Sequence, residues 1–238
     1  MKKYLDEVTK KCARPKRLSK HHSQNYYNSK LECLGMTVPE VRFIYKNGFS
    51  FSDLPQNEKF KIWSYIFKTS NIFEVKSLCI HFVDSLKETD LLKHWPKYKT
   101  WVKYIDNWAH SDGYSSTIAR LLELDQKTIF PTLKKWNTSK NPWERRQSLV
   151  GLFYYSSSRK KTIPLNLALP LVQKRIKDDH YYVQKGVGWT LREIGNLDQK
   201  VLVTFLQKNI KVLSSVAFTT SIEKLSLDQK TTLKNARK

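Results

Sequence analysis

Trp101-Val-Lys-Tyr-Ile-Asp-Asn-Trp108-Ala-His-Ser-Asp112 opens a stretch that closes at Asn141-Pro-Trp143-Glu-Arg145-Arg146. Trp108 and Asp112 are four residues apart, a spacing that stacks both side chains on one face of a helix. A large aromatic plane and a carboxylate then point the same way. Asn141-Pro-Trp-Glu144 has the form of a capping box, with proline at the first helical position. Arg145 and Arg146 fall just inside that helix start. The dipole disfavours cations there, yet free backbone amides point the same way and favour a bound anion. The plain alternatives are core packing for Trp108, solvent or turn capping for Asp112, and an ion pair with Glu144 or a neighbouring helix for the arginines.

Working outward, the apolar spacing is helical nearly everywhere and strand-like alternation is almost absent. Only 7 glycines occur. Expected helices are a short one in the first residues, Asn25–Leu34 ending at Gly35, and one from the Thr37-Val-Pro-Glu40 capping box to about Lys46, stopped by Gly48. Pro55 opens the next, to about Lys68, followed by the stripe Ile72, Val75, Cys79, Phe82 and Leu86. Pro96 is expected to interrupt the pattern. A helix from Lys97 to about Ile105 should run into Asn107–Leu122. Gln126–Trp136, Asn141–Tyr155, Pro164–Lys177, Tyr181–Ile194, Lys200–Asn209 and Ser215–Leu225 complete the set. The chain reads as one domain over residues 1–238, with a basic extension at 1–20 and a basic tail at 228–238 that should fray.

The helices fall into consecutive pairs of roughly 35–45 residues, the period of helical-repeat solenoids. Two stretches echo each other, Trp136–Arg146 with Trp143-Glu-Arg-Arg and Lys177–Arg192 with Tyr182-Val-Gln-Lys185. Each has a polar turn, then an aromatic, then a basic residue. In a stack of this kind the concave side is the usual binding surface.

Charge narrows the partners. Lys and Arg total 43 against 21 Asp and Glu, a formal net charge of +22. So large an excess disfavours a compact state through self-repulsion unless a polyanion offsets it, and nucleic acid is the default candidate. The basic residues are spread through periodic helices, which weakens the membrane-surface alternative. No apolar run reaches the roughly 18 residues that suggest a membrane span. The start, MKKYLDEVTKK, lacks an apolar signal core. Cys12, Cys33 and Cys79 form no zinc-ligand spacing and suggest buried thiols in a reducing compartment, so a cytoplasmic location is expected. The six histidines sit in no HExxH motif, and there is no P-loop or dinucleotide fingerprint, so no metal or cofactor is expected.

Gly186-Val-Gly188-Trp189-Thr-Leu-Arg192-Glu193 is the last informative stretch. Two glycines inside a helix each cost about 0.5–1 kcal/mol relative to alanine. They permit close approach by a neighbouring helix or by a ligand backbone. Trp189 reads as core in the plain case, and Arg192–Glu193 as an ordinary exposed pair.

Taken together, Trp108-x-x-x-Asp112, Trp136 with Asn-Pro-Trp143-Glu-Arg-Arg146, and Gly-Trp189-Thr-Leu-Arg192-Glu193 resemble the AlkD-like DNA alkylation repair family of DNA glycosylases. Tyr26-Tyr27…Leu34-Gly35-Met-Thr37-Val-Pro39-Glu-Val-Arg42 resembles its N-terminal signature. The resemblance runs from about Tyr26 to about Leu225. It implies an all-α fold of HEAT-like repeats with a basic concave groove for duplex DNA. It also implies cofactor-free hydrolysis of the N-glycosidic bond of N3- and N7-alkylated purines. The family's tryptophan–aspartate–arginine–tryptophan set falls on Trp108, Asp112, Arg146 and Trp189, with Trp108, Asp112 and Arg146 as the expected catalytic set. Trp189, Arg192, Arg145, Lys185, Tyr26, Tyr27, Thr37 and Arg42 are the expected DNA or lesion contacts. Where related enzymes can carry a polar amide after the Leu-Gly, this chain has Thr37. A monomer without an obligate protein partner is expected. The competing readings are a non-catalytic helical-repeat binder of damaged or branched DNA, and a helical adaptor for proteins.

Overall fold

The computed structural model describes residues 1–13 and 23–238; the later part of the basic extension expected at 1–20 lies outside them. Fourteen α-helices account for the architecture of the described residues, whose only β-type pairing is an isolated parallel bridge between Glu32 and Ile72. The fold is all-α. Two compact units divide the chain, Met1–Tyr114 and Ser115–Lys238. Among the described residues no helix is long and apolar enough to cross a membrane.

The first unit holds α1 (Lys2–Cys12), α2 (Gln24–Tyr27), α3 (Val38–Lys46), α4 (Gln56–Thr69), α5 (Phe73–Asp84), α6 (Glu88–Tyr98) and the start of α7 (Trp108–Leu124). Its core is aromatic. Trp101 stacks on Phe67 with ring centres 4.4 Å apart, and its indole N–H donates to the Ser64 hydroxyl at 3.1 Å. The Tyr114 hydroxyl donates to the Tyr98 carbonyl at 3.0 Å, which satisfies a phenol buried in apolar surroundings.

Three helices depart from the expected pattern. The segment from Asn25 is helical only to Tyr27, and Asn28 turns left-handed with φ 50°. Beyond it the chain is not helical, because two distant carboxylates capture its backbone donors. Asp106 accepts from the Ser29 hydroxyl at 2.9 Å and the Lys30 N–H at 2.9 Å. Glu74, 1% exposed, accepts from the N–H groups of Leu34, Gly35 and Met36 at 2.9–3.2 Å. Gly35 supplies φ 77° for that cradle and is not a helix terminus. Pro96 lies inside α6, whose last turn continues past it to Tyr98; only a 3₁₀ turn follows, Trp101–Tyr104. The expected helix from Lys97 to Ile105 is absent. The Thr37–Glu40 start is as expected, with the Glu40 carboxylate accepting from the Thr37 N–H at 2.7 Å and its hydroxyl at 2.8 Å.

The second unit continues α7 and adds α8 (Gln126–Trp136), α9 (Pro142–Phe153), α10 (Leu165–Arg175), α11 (Tyr181–Leu197), α12 (Gln199–Asn209), α13 (Ser215–Ser221) and α14 (Leu227–Arg237). Helices α9, α11 and α13 pack side by side, while α8, α10 and α12 each pair with the following member of that layer or with α11. This is the repeat pattern expected from the pairing of helices. The tail does not fray. Ser226 and Gln229 cap α14 reciprocally, and Arg237 donates to the carbonyls of Ile210 and Leu213 at 3.1 and 2.6 Å. Asn141 caps α9 through the Trp143 N–H at 2.8 Å, one position earlier than a capping box requires.

Candidate functional site

In the first unit the residues gather around the start of α7. Asn107 caps it, its side-chain oxygen accepting the His110 N–H at 2.8 Å. Trp108 is the first residue of α7, and Asp112 follows one turn later; both are partly buried. The Trp108 indole N–H donates to the Tyr26 carbonyl at 3.1 Å. The Tyr26 ring meets the indole edge-on at 5.4 Å, and Tyr27 lies 5.8 Å from it. Tyr27 stacks on Phe73 at 4.0 Å, and Phe73 on His110 at 4.3 Å. Burial, with the neighbouring Cys33 and Glu74, pushes the Tyr27 phenol up to about 12. Tyr26, Tyr27 and Trp108 therefore form one aromatic cluster.

A buried polar network fixes this cluster. Asp106, which holds Ser29 and Lys30, also accepts from the Asn107 amide at 2.9 Å. His110 is 2% exposed; its Nε2 faces the Phe73 carbonyl at 3.1 Å and its Nδ1 faces the Asn107 amide at 2.9 Å. A carbonyl only accepts, so Nε2 is assigned the proton and Nδ1 accepts. Burial, reinforced by the nearby Lys76 charge, pulls the imidazole down to about 3, so it is neutral at physiological pH. Asp106 thus ties the segment after Tyr26 to the cap of the helix that carries Trp108 and Asp112. Thr37 and Arg42 are exposed at the start and on the surface of α3.

In the second unit Arg146 is 5% exposed on α9 and donates to the Tyr182 carbonyl at 2.8 Å. A Cβ at Gly186 of α11 would sit 3.5 Å from its Cγ, an ordinary contact distance, so the arginine side chain lies against α11. Arg145 points elsewhere: its guanidinium grips Asp178 with two hydrogen bonds of 2.7 and 2.9 Å and reaches Asp179 at 3.4 Å. Burial pushes the Asp178 carboxyl up, but the hydrogen bonds from Arg145 and the His180 N–H, with the arginine charges, leave it below the usual range. Arg145 therefore closes the turn before α11. Trp143 stacks on Tyr182 at 5.4 Å, so equivalent positions of the two echoing stretches pack against each other.

Trp189 is partly exposed, stacked on Tyr154 at 5.4 Å, with the Arg192 guanidinium over its ring at 5.5 Å. Arg192 also pairs with Glu223 at 2.6 Å. Glu193 does pair with Arg192, at 3.6 Å, but it is buried at 2% exposed and also accepts from the Ser156 N–H and hydroxyl at 3.0 and 2.8 Å. Gly188 serves helix packing, since a Cβ there would lie 2.5 Å from the Ala217 carbonyl of α13. Lys185 is partly exposed on α11. Asp106, Tyr154 and Glu193 were not among the residues the motifs singled out as contacts. The Tyr154-Tyr155 pair at a helix end was the only signal for the second of these.

The geometry can now be set beside known proteins. A family model described as DNA alkylation repair enzyme matches residues 10–225. Curated proteins give no significant match. Among solved structures, a predicted DNA alkylation repair enzyme from Enterococcus faecalis is similar with a TM-score of 0.69 at 17% identity, over 86% of this chain and 93% of that one. AlkD2 from Streptococcus mutans is similar with a TM-score of 0.56 at 18% identity, over 80% and 91%. At such identities the likeness to the solved structures shows a shared fold. The family match covers most of the chain, and on it the protein belongs to the DNA alkylation repair enzyme family.

Proposed function

We propose that this member of the family is a monofunctional DNA glycosylase. It hydrolyses the N-glycosidic bond of cationic alkylated purines, N3-alkyladenine and N7-alkylguanine, in duplex DNA and so initiates base excision repair. The observation that carries the reading is Trp108, seated against Tyr26 with Asp112 one turn along the same helix. An indole face and a carboxylate side by side suit a positive charge.

The chemistry needs little else. A purine alkylated at N3 or N7 already carries the charge that makes it a leaving group. When the glycosidic bond breaks, its electron pair neutralises the base and the positive charge passes to the deoxyribose as an oxocarbenium-like species. Asp112 stabilises that cation electrostatically and orients the water that adds to the anomeric carbon. The water gives up one proton and an abasic site remains. Trp108 offers a π face to the cationic lesion or its sugar. In the second unit, Trp189 is assigned to a base or sugar and Arg146 to a phosphate of the bound DNA. Neutral bases lack the built-in activation and are left alone.

The test is chromatography of bases freed from methylated duplex DNA by the wild type and by Asp112→Asn. Release of 7-methylguanine by the wild type, lost in the variant while DNA binding persists, supports the proposal. Equal release by both removes Asp112 from the mechanism. No release by the wild type leaves a DNA binder on the same fold.

A further inference from the structure

Among the described residues only Asn28 and Tyr155 combine a side chain with positive φ. Asparagine enters the left-handed region readily, but a tyrosine there is an outlier. Tyr155 has φ 52° and ψ 61° just past Tyr154, the C-cap of α9, at the position where glycine usually ends a helix. The residue is 58% exposed, so burial does not explain a bulky side chain at that point.

The turn is held from outside. Glu193 of α11 takes the Ser156 N–H and hydroxyl at 3.0 and 2.8 Å. Glu123 of α7 takes the N–H groups of Lys160 and Lys161 at 2.8 and 3.2 Å. Arg159 donates back to the Tyr154 carbonyl at 3.2 Å. Two carboxylates are thus spent on the backbone of a seven-residue loop, Tyr155-Ser-Ser-Ser-Arg-Lys-Lys161. Fixed this way, the loop exposes the Tyr155 ring, Ser157, Lys160 and Lys161. The ring stands edge-on to Tyr154 at 4.6 Å, and Tyr154 stacks on Trp189 at 5.4 Å. Tyr155 is therefore the exposed outer member of the aromatic run that includes a proposed lesion contact.

We infer that Tyr155–Lys161 is a nucleic-acid contact element of its own. Tyr155 stacks on a nucleobase laid bare beside the damaged site, and Lys160 and Lys161 take the phosphates that flank it. An exposed ring next to paired lysines is the combination that binds unpaired bases with their backbone, since stacking tolerates any base and lysines track phosphate. The inference rests on DNA being the substrate, and it gives the family scaffold a contact that reads exposed bases independently of base release.

The test is fluorescence anisotropy with the full-length protein and two unmodified duplexes, one fully paired and one with a single extrahelical base. Tyr155→Gly keeps the left-handed turn and removes the ring. It should unfold in urea at the same or higher concentration than the wild type, yet bind the extrahelical-base duplex roughly 5- to 100-fold more weakly. The fully paired duplex should lose much less, and Tyr155→Phe should bind both as the wild type does. Lys160→Ala with Lys161→Ala should flatten the slope of log affinity against log salt by about 2. Should Tyr155→Gly fail to fold, Tyr155→Asn, which also tolerates the turn, carries the same comparison. Wild-type affinity of the ring-less variant for the extrahelical-base duplex overturns the stacking role; an unchanged salt slope overturns the phosphate role. No base is released in this assay, so its failure leaves the glycosylase proposal standing. Conversely, Tyr155-dependent binding in a protein that frees no base would sink only the glycosylase.

Discussion

Replacing Gly188 by alanine should do more damage than any other single added methyl group on α11. An ideal Cβ at Gly188 would lie 2.5 Å from the Ala217 carbonyl oxygen, 2.7 Å from the Thr220 Cβ and 3.0 Å from the Ala217 Cα. Two of these atoms are α13 backbone, which cannot swing aside as a side-chain end can. Ordinary contact needs about 3.4 Å, so α13 must retreat by roughly 1 Å or α11 must bend. Overpacking of this kind costs about 1–3 kcal/mol, against a gain of about 0.5–1 kcal/mol from replacing a helical glycine. Gly186, two residues earlier, is the internal control. A Cβ there meets the Val150 Cγ2 at 3.4 Å and the Arg146 Cγ at 3.5 Å, which is ordinary contact. Gly186→Ala should therefore be neutral or stabilising, and the two variants should differ by the overpacking cost, about 1–3 kcal/mol, in urea denaturation followed by far-ultraviolet circular dichroism. Trp189 adjoins Gly188, so Gly188→Ala should also weaken base release where Gly186→Ala does not. Equal stabilities for the two alanine variants would refute the close packing of α11 on α13.

Four further outcomes follow from the site and the buried network. Asp112→Asn should cut release of 7-methylguanine by at least about 100-fold, the loss of one electrostatic partner of the transition state, with DNA affinity within a few-fold of wild type. Stability should fall on acidification from about pH 6.5, because His110 is neutral in the fold, with its pKa pulled down to about 3, and charges on unfolding. The sign is fixed by the depressed value: the contribution is complete above the unfolded pKa of about 6.5 and declines by up to about 1.4 kcal/mol per pH unit below it. Urea midpoints at pH 7.5 and 5.5 measure this, and His110→Gln should shrink the difference. Affinity for duplex DNA should drop steeply with salt, by about 10³–10⁵ between 50 and 200 mM if 6–10 phosphates are engaged; a flat response would contradict a phosphate-gripping surface. Glu74→Ala strands the buried N–H groups of Leu34, Gly35 and Met36 and should cost at least about 3 kcal/mol in a thermal or urea melt.

Local chemistry made the regular parts of the fold readable. Thr37 and Glu40 placed the start of α3, and the apolar spacing of Gln126–Trp136 gave α8 to the residue. The doubling of Trp143 and Tyr182 revealed the repeat. Distant partners defeated the same reading elsewhere. Asn25–Leu34 has helical spacing, but beyond Tyr27 the carboxylates of Asp106 and Glu74, some 40 to 80 positions away, take backbone donors and keep the segment out of a helix. Polar composition suggested a frayed tail, and nothing local shows that Arg237 finds the carbonyls of Ile210 and Leu213. At the site, a four-residue spacing was enough to pair Trp108 with Asp112 on α7. That Tyr26 meets Trp108 was not legible, since 82 positions separate the two. Arg145 and Arg146 are neighbours with identical local signals. Only the fold distinguishes them, one gripping Asp178 and the other lying along α11.

Because Trp143 and Tyr182 occupy matching places in α9 and α11, one helix pair apart, and touch, the length of chain between them acts as a ruler. Insertion or deletion of an entire helix pair would present a new aromatic at the same height and restore the ladder. A change of a few residues inside α9, α10 or α11 would turn every later side chain about its helix axis and break the match. Length variation in this half of the molecule is therefore quantised: natural or engineered variants should gain or lose whole helix pairs, or change only in the turns.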